Sequence, residues 1–190
     1  MPIKIYITQG LMLPAEFRGR EGIQPDKMIT LLQYFQQGMP FYQGLARDPG
    51  YNASMASAVA AGLQQWDWAK KEKILDYQLV NSPVGADVLI FWCPNMERGH
   101  GAFTQAMSST GLGKKVYIEV STVKENAEYT KLMWTIAHEF GHCWGMSFHS
   151  TNPKDLMFAN ASADRPHGYI SENDKLTLRA LYDLAPTVRR

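Results

Sequence analysis

Apolar and polar positions alternate through IKIYI, residues 3–7, and the apolar signal runs on through GLML, which predicts a first strand closed by Pro14. From there to residue 50 the chain is punctuated by Gly19, Gly22, Pro25, Gly38, Pro40, Gly44, Pro49 and Gly50, the mark of an elaborated connection rather than a separate domain. Inside it, Asp26 is placed to cap a short helix with Met28, Leu31, Leu32 and Phe35 on one face, stopped by Gly38. Residues 52–69 carry Met55, Val59, Leu63 and Trp66 at helical spacing, and KILDYQLV alternates as a strand over 73–80. After the turn signal NSPVG, the apolar run ADVLIFW reads as a strand buried on both faces. GHGAFTQ predicts a short edge strand, and KKVYIEV, 114–120, alternates again. Thr122 and Glu125 spell a capping box for a helix through Met133, Ile136 and Phe140, and a last helix over 172–182 is expected to bury Leu178 and Leu181. GLGK at 111–114 lacks the full phosphate-loop spelling and is read as a turn.

Composition narrows this picture. A chain of 190 residues with 45% hydrophobic and 19% charged residues fits one globular domain, 1–190, with 12–50 as an insertion. A net charge of +1, with basic residues grouped only at Lys70, Lys71 and Lys73, at Lys114 and Lys115, and at Arg189 and Arg190, leaves no nucleic-acid footprint. No window approaches the roughly 20 apolar residues of a membrane span, and MPIKIYITQG lacks the features of a secretory signal. The expectation is a soluble monomer, with its compartment left open. Cys93 and Cys143 read as small core residues rather than a disulfide, and the sequons at Asn52 and Asn160 as chance spellings.

Of five histidines, three fall in HEFGHCWGMSFHS, residues 138–150. His138 and His142, four apart on a helix, stack on one face and can share a metal ion. His149 lies eleven residues beyond His138, about 16 Å along a continuous helix. Since zinc needs nitrogens at about 2.1 Å, the helix must end first. Gly145 sits where a left-handed cap can turn the chain back. Three imidazoles leave one tetrahedral position open for water, and Glu139, directly after the first ligand, is placed as general base. One catalytic Zn2+ and hydrolysis of an amide follow; the competing reading is of ordinary core and surface histidines.

HEFGHCWGMSFH resembles H-E-x-x-H-x-x-G-x-x-H, the extended zinc motif of the metzincin metallopeptidases. HSTNPKDLMF is similar to the matrixin branch, in which the third histidine is followed by Ser, then Pro, then a Leu-Met pair. SENDKLTLRALY resembles the matrixin C-terminal helix through Ser171, Asp174, Leu178, Leu181 and Tyr182, and the likeness spans roughly 52–184. The resemblance implies an α+β metzincin-type catalytic domain, with a twisted, mixed, mostly parallel sheet of about five strands, three main helices and the extra N-terminal insertion. It implies Met157 as the Met-turn residue beneath the zinc and an extended protein or peptide substrate along the edge strand, with Gly101, Ala102 and Phe103 as pocket candidates. Trp134, one helical turn before His138, is implied at the bottom of the pocket next to the metal, with packing into the core as the alternative. Lys175 and Asn173 depart from the family's final helix, and Ala159 stands where astacins and serralysins carry a tyrosine ligand. His100 and His167 read as surface and loop residues. A zinc peptidase for cell-wall or other particular peptides, and a zinc-containing protein-binding module using 12–50 as its surface, are the alternative functions.

Overall fold

The computed structural model describes residues 1–19, 22–94, 96, 101–123, 128–159 and 169–183. Strand β1 (Ile3–Ile7) ends earlier than the apolar pattern suggests, and Leu11 instead forms a lone bridge with Arg47. A 3-10 turn (Ala15–Phe17) leads into a two-stranded antiparallel hairpin, β2 (Arg18–Gly19) and β3 (Gly22–Ile23). Helix α1 (Pro25–Gln37) follows, stopped as expected by Gly38 with φ 75°. Asp26 lies in its first turn but does not cap it: Gln24 holds the cap position, and Pro25 opens the helix with its φ already set. A short helix α2 (Met39–Gln43) was not foreseen.

Helix α3 (Ala53–Gln64) starts at Asn52, whose side chain accepts from the N–H groups of Ser54 and Met55. The predicted helix over 52–69 breaks at Trp66, the cap residue of α4 (Asp67–Lys71). Lys73 then takes a left-handed conformation, so the expected strand over 73–80 shortens to β4 (Tyr77–Leu79). Next come β5 (Val88–Cys93), buried throughout, β6 (Ala102–Ser109) and β7 (Gly113–Ser121). Helix α5 (Tyr129–Cys143) carries the histidine motif and α6 (Glu172–Asp183) closes the described chain.

The five-stranded sheet runs β4-β1-β5-β7-β6. Four strands are parallel and β6 lies antiparallel at the edge, as expected of a mixed, mostly parallel sheet. Parallel central strands are covered on both faces, which explains why VLIFWC carries no polar position. Ile90, Trp92, Ile118 and Val120 face a core with Val59, Leu63, Ile136 and Phe140 of α3 and α5. Leu89, Phe91 and Tyr117 face the opposite way, packing with Leu31, Leu32 and Phe35 of α1, Tyr42 of α2 and Phe17. Segment 12–50 thus packs over the central part of one face of the sheet. No helix among the described residues is long and apolar enough to cross a membrane.

The capping box needs correction. Glu125 lies outside the described residues, and Thr122 donates to Asp48 Oδ2 at 2.8 Å instead of capping α5. That helix begins later, where the Glu128 carboxylate accepts from Thr130 N and Lys131 N at 3.0 and 2.7 Å. Leu181 is likewise not buried: it is 38% exposed, while Leu178 is fully covered. His100, His167 and Asn160 lie outside the described residues.

Candidate active site

Helix α5 ends at Cys143, and Gly145 turns the chain with φ 98°, a conformation that disfavours any Cβ. The turn is closed by Gly145 N–H donating to His142 O at 3.0 Å and Met146 N–H to Gly141 O at 3.1 Å. His138, His142 and His149 converge, each offering a ligand nitrogen within 4.8 Å of the others. Corners of a tetrahedron with 2.1 Å bonds are about 3.4 Å apart, so small ring movements suffice to close the set on a zinc ion. The ring planes of His138 and His142 are nearly perpendicular, and those of His138 and His149 nearly parallel at 5.2 Å between centroids.

Two of these rings have their tautomer set by the backbone. His138 Nδ1 lies 2.7 Å from Leu156 O and His142 Nδ1 2.7 Å from Met146 O. A carbonyl has no proton to give, so both Nδ1 atoms donate and each Nε2 carries the lone pair that a metal takes. Burial, opposed by the Met146 hydrogen bond, lowers the pKa of His142 and favours the neutral ligand form. The donor set, its tautomers and its spacing fit zinc.

Met157, the residue expected to form the Met turn, is buried with its sulfur against Gly141, between His138 and His142 on α5. The turn is held by a buried carboxylate: Asp174 accepts from Leu156 N at 2.7 Å, Met157 N at 3.2 Å and Ser171 N at 2.9 Å. Asp155 ties the loop after His149 into the same network, accepting from Ser150 Oγ, Asn152 Nδ2, Ser171 Oγ and Asn173 Nδ2. Ser150 N–H also donates to Met157 O at 2.7 Å, so the neighbour of His149 is bonded directly to the Met turn. Asn173, a departure from the family's final helix, is therefore a working member of this network. Lys175 pairs with Glu172 and lies over the Trp68 ring.

Glu139 is 7% exposed, and burial pushes its carboxyl up to about 7 while a hydrogen bond from Thr104 pulls it back. Thr104 Oγ1 donates to Glu139 Oε2 at 2.6 Å. Sequence reasoning stopped one residue short of it, at Gly101, Ala102 and Phe103. Ala102 is buried in the core with Ile136 and Ala137, and Gly101 sits against Thr135. The Phe103 ring is turned to the far side of the sheet, against Gly22 of the β2–β3 hairpin, on the face that also holds Met107. Alternation was the signal available: with Ala102 facing α5, Thr104 must face it too. Trp134 is half-buried and packs against the core shared by α3 and α5.

The matrixin family model matches residues 64–183, well over half of the chain. The chain belongs to the matrixin family. Matrixins are zinc-dependent metallopeptidases of the metzincin group, and the histidine triad of this matrixin lies within the matched region. A search of curated proteins finds no match. Segment 12–50 falls outside the matched residues.

Family membership exposes a correction to the motif itself. The extended metzincin spelling has two residues between its glycine and third histidine, whereas this matrixin has three, Met146, Ser147 and Phe148. The structure absorbs the extra residue without opening the triad. Met146 tucks into the core and supplies the carbonyl for His142, while Phe148 is pushed out to 89% exposure beside His149.

Proposed function

We propose that this matrixin is a zinc endopeptidase, with His138, His142 and His149 as the zinc ligands and Glu139 as the general base. The observation that carries the reading is a buried carboxylate set directly after the first of three convergent imidazoles and paired with no cation among the described residues. Zinc, when bound there, would acidify a water molecule and polarise the scissile carbonyl. Glu139 takes a proton from the attacking water and returns it to the departing amine. A carboxylate poised near neutrality by burial suits both transfers. A purely structural zinc has no use for such a group, and its burial is unfavourable to folding, which weighs against the binding-module alternative.

The substrate is an extended peptide. Edge strand β6 can add one more strand through main-chain hydrogen bonds, which demands little of the substrate sequence. The preference between general and specialised peptides then rests on side-chain pockets, with Trp134 as one candidate wall.

The test is cleavage of a generic unfolded protein, together with zinc analysis. Chelator should abolish cleavage and added zinc restore it. Glu139→Ala is expected to lower turnover at least about a hundredfold while keeping one zinc per chain. His142→Ala is expected to lose zinc and activity together. Undiminished turnover in Glu139→Ala would remove the proposed base, and stoichiometric zinc in His142→Ala would remove the ligand assignment.

A further inference from the structure

We propose that Thr104 is a positioning residue for Glu139, an inference that rests on the reading of Glu139 as general base. Thr104 stands on the edge strand β6, paired with Ile118 of β7, on the strand face that packs against α5. Its hydroxyl has one proton and two acceptors in reach, Glu139 Oε2 at 2.6 Å and the Glu139 carbonyl oxygen at 3.2 Å. The nearer carboxylate oxygen takes the hydrogen bond, charge-assisted and short. No described residue hydrogen-bonds Oε1.

This arrangement does two things for a base. It fixes the rotation of a carboxylate that otherwise turns freely about its last torsion, a broad two-fold one. It also divides the two oxygens, holding Oε2 in a protein hydrogen bond and leaving Oε1 to exchange the proton. The donor sits on the same strand that would carry the substrate, so base and substrate are referenced to one rigid element. Misplacement of a reacting group by about 1 Å can lower a rate on the order of a hundredfold. Thr104 touches neither substrate nor metal in this scheme; it acts through Glu139.

The decisive variant is Thr104→Val, which keeps the β-branched shape and removes only the hydroxyl. Its kcat should fall about ten- to a hundredfold with KM within about twofold and one zinc per chain retained. Thr104→Ser should recover most of the kcat. Added to Glu139→Ala, Thr104→Val should lower kcat no further. A readout independent of the metal is urea unfolding of the zinc-free protein, where Thr104→Val should lower the midpoint more in the presence of Glu139 than in the Glu139→Ala background. If the valine variant fails to fold, Thr104→Ala takes its place in every comparison. Wild-type kcat in Thr104→Val, alongside an inactive Glu139→Ala, overturns the proposal and leaves the base intact. An active Glu139→Ala overturns both. Equal kcat losses from Thr104→Val with and without Glu139 assign the residue to some other task and overturn the proposal.

Discussion

Gly141 sits on the inner face of α5, where a Cβ would drive into the sulfur of Met157 and meet Trp66 Cζ2 at 3.3 Å. The absence of a side chain lets the segment around Met157 close against the helix that bears His138 and His142. Its carbonyl at Leu156 can then receive His138 Nδ1. Gly141→Ala should therefore do two things at once. Overpacking is expected to lower stability by about 1–3 kcal/mol, measured by urea unfolding. Displacement of the Leu156 carbonyl should weaken zinc binding about 10- to 100-fold, measured by competition with a chromogenic chelator. Unchanged zinc affinity in a destabilised variant would show that the carbonyl does not tune the ligand. Phe148 illustrates the opposite economy, since an additional residue next to a ligand is tolerated by sending its side chain into water.

Helix α1 shows how an element outside the family match becomes part of the core. Its apolar stripe of Leu31, Leu32 and Phe35 is buried, and Phe35 stacks with Tyr42 at 6.1 Å and with Phe91 of β5 at 5.9 Å. The hairpin beside it is bonded to the edge strand, Ile23 N–H donating to Gln105 Oε1 at 2.7 Å. Phe35→Ala is expected to destabilise the protein by about 3–5 kcal/mol, because the ring leaves a cavity between helix and sheet that neighbours fill only partly. None of the described ring contacts of Phe35 involves the histidine triad, so activity per folded molecule should be unchanged below the new melting temperature. A variant that melts with the wild type would mean that segment 12–50 contributes little to the sheet's stability.

At the scale of the whole molecule, the sheet separates two cores, and one charged group is enclosed between the hairpin and the sheet. Glu119 of β7 faces the segment 12–50 side, 3.7 Å from Arg18 Nη1, and that same nitrogen donates to Cys93 Sγ at 2.8 Å. Desolvation raises the Glu119 carboxyl above its usual 4.5, outweighing the opposing influence of Tyr117, Arg18 and Cys93 beside it. A raised pKa in the folded state means that folding favours the protonated acid. The contribution to stability is present below 4.5 and is lost as pH climbs through the folded value. Glu119→Gln cannot titrate. The stability of the glutamine variant relative to wild type should therefore improve steadily as pH rises from about 4.5 toward neutrality, followed by urea unfolding at several pH values. A constant difference across that range would mean that Glu119 titrates at its ordinary value.

Local order was already written in the chain. Periodicity placed β1, α1, α3, β7 and α6, because amphipathic spacing reflects which side of an element meets the core, and an unbroken apolar run placed β5, which meets a core on both faces. The four-residue step from His138 to His142, Gly145 and the distant His149 foretold a helix that ends and a chain that returns, since those are constraints of backbone geometry. Family resemblance, carried by residues 138–182, added Met157 and the zinc chemistry. What the sequence left open involves partners far apart along the chain. Thr122 was free to cap a helix until folding brought Asp48 to it, 74 residues away. Leu181 had the right spacing for burial, but α6 packs with Asp174 and Leu178 inward, because Asp174 is claimed by the backbone of the Met turn. Thr104 gained its role only when the pairing of β6 with β7 set it opposite Glu139, 35 residues away. Local patterns report the balance of burial along one element; hydrogen-bond partners and strand register are fixed by the joint packing of all of them, which tertiary structure alone decides.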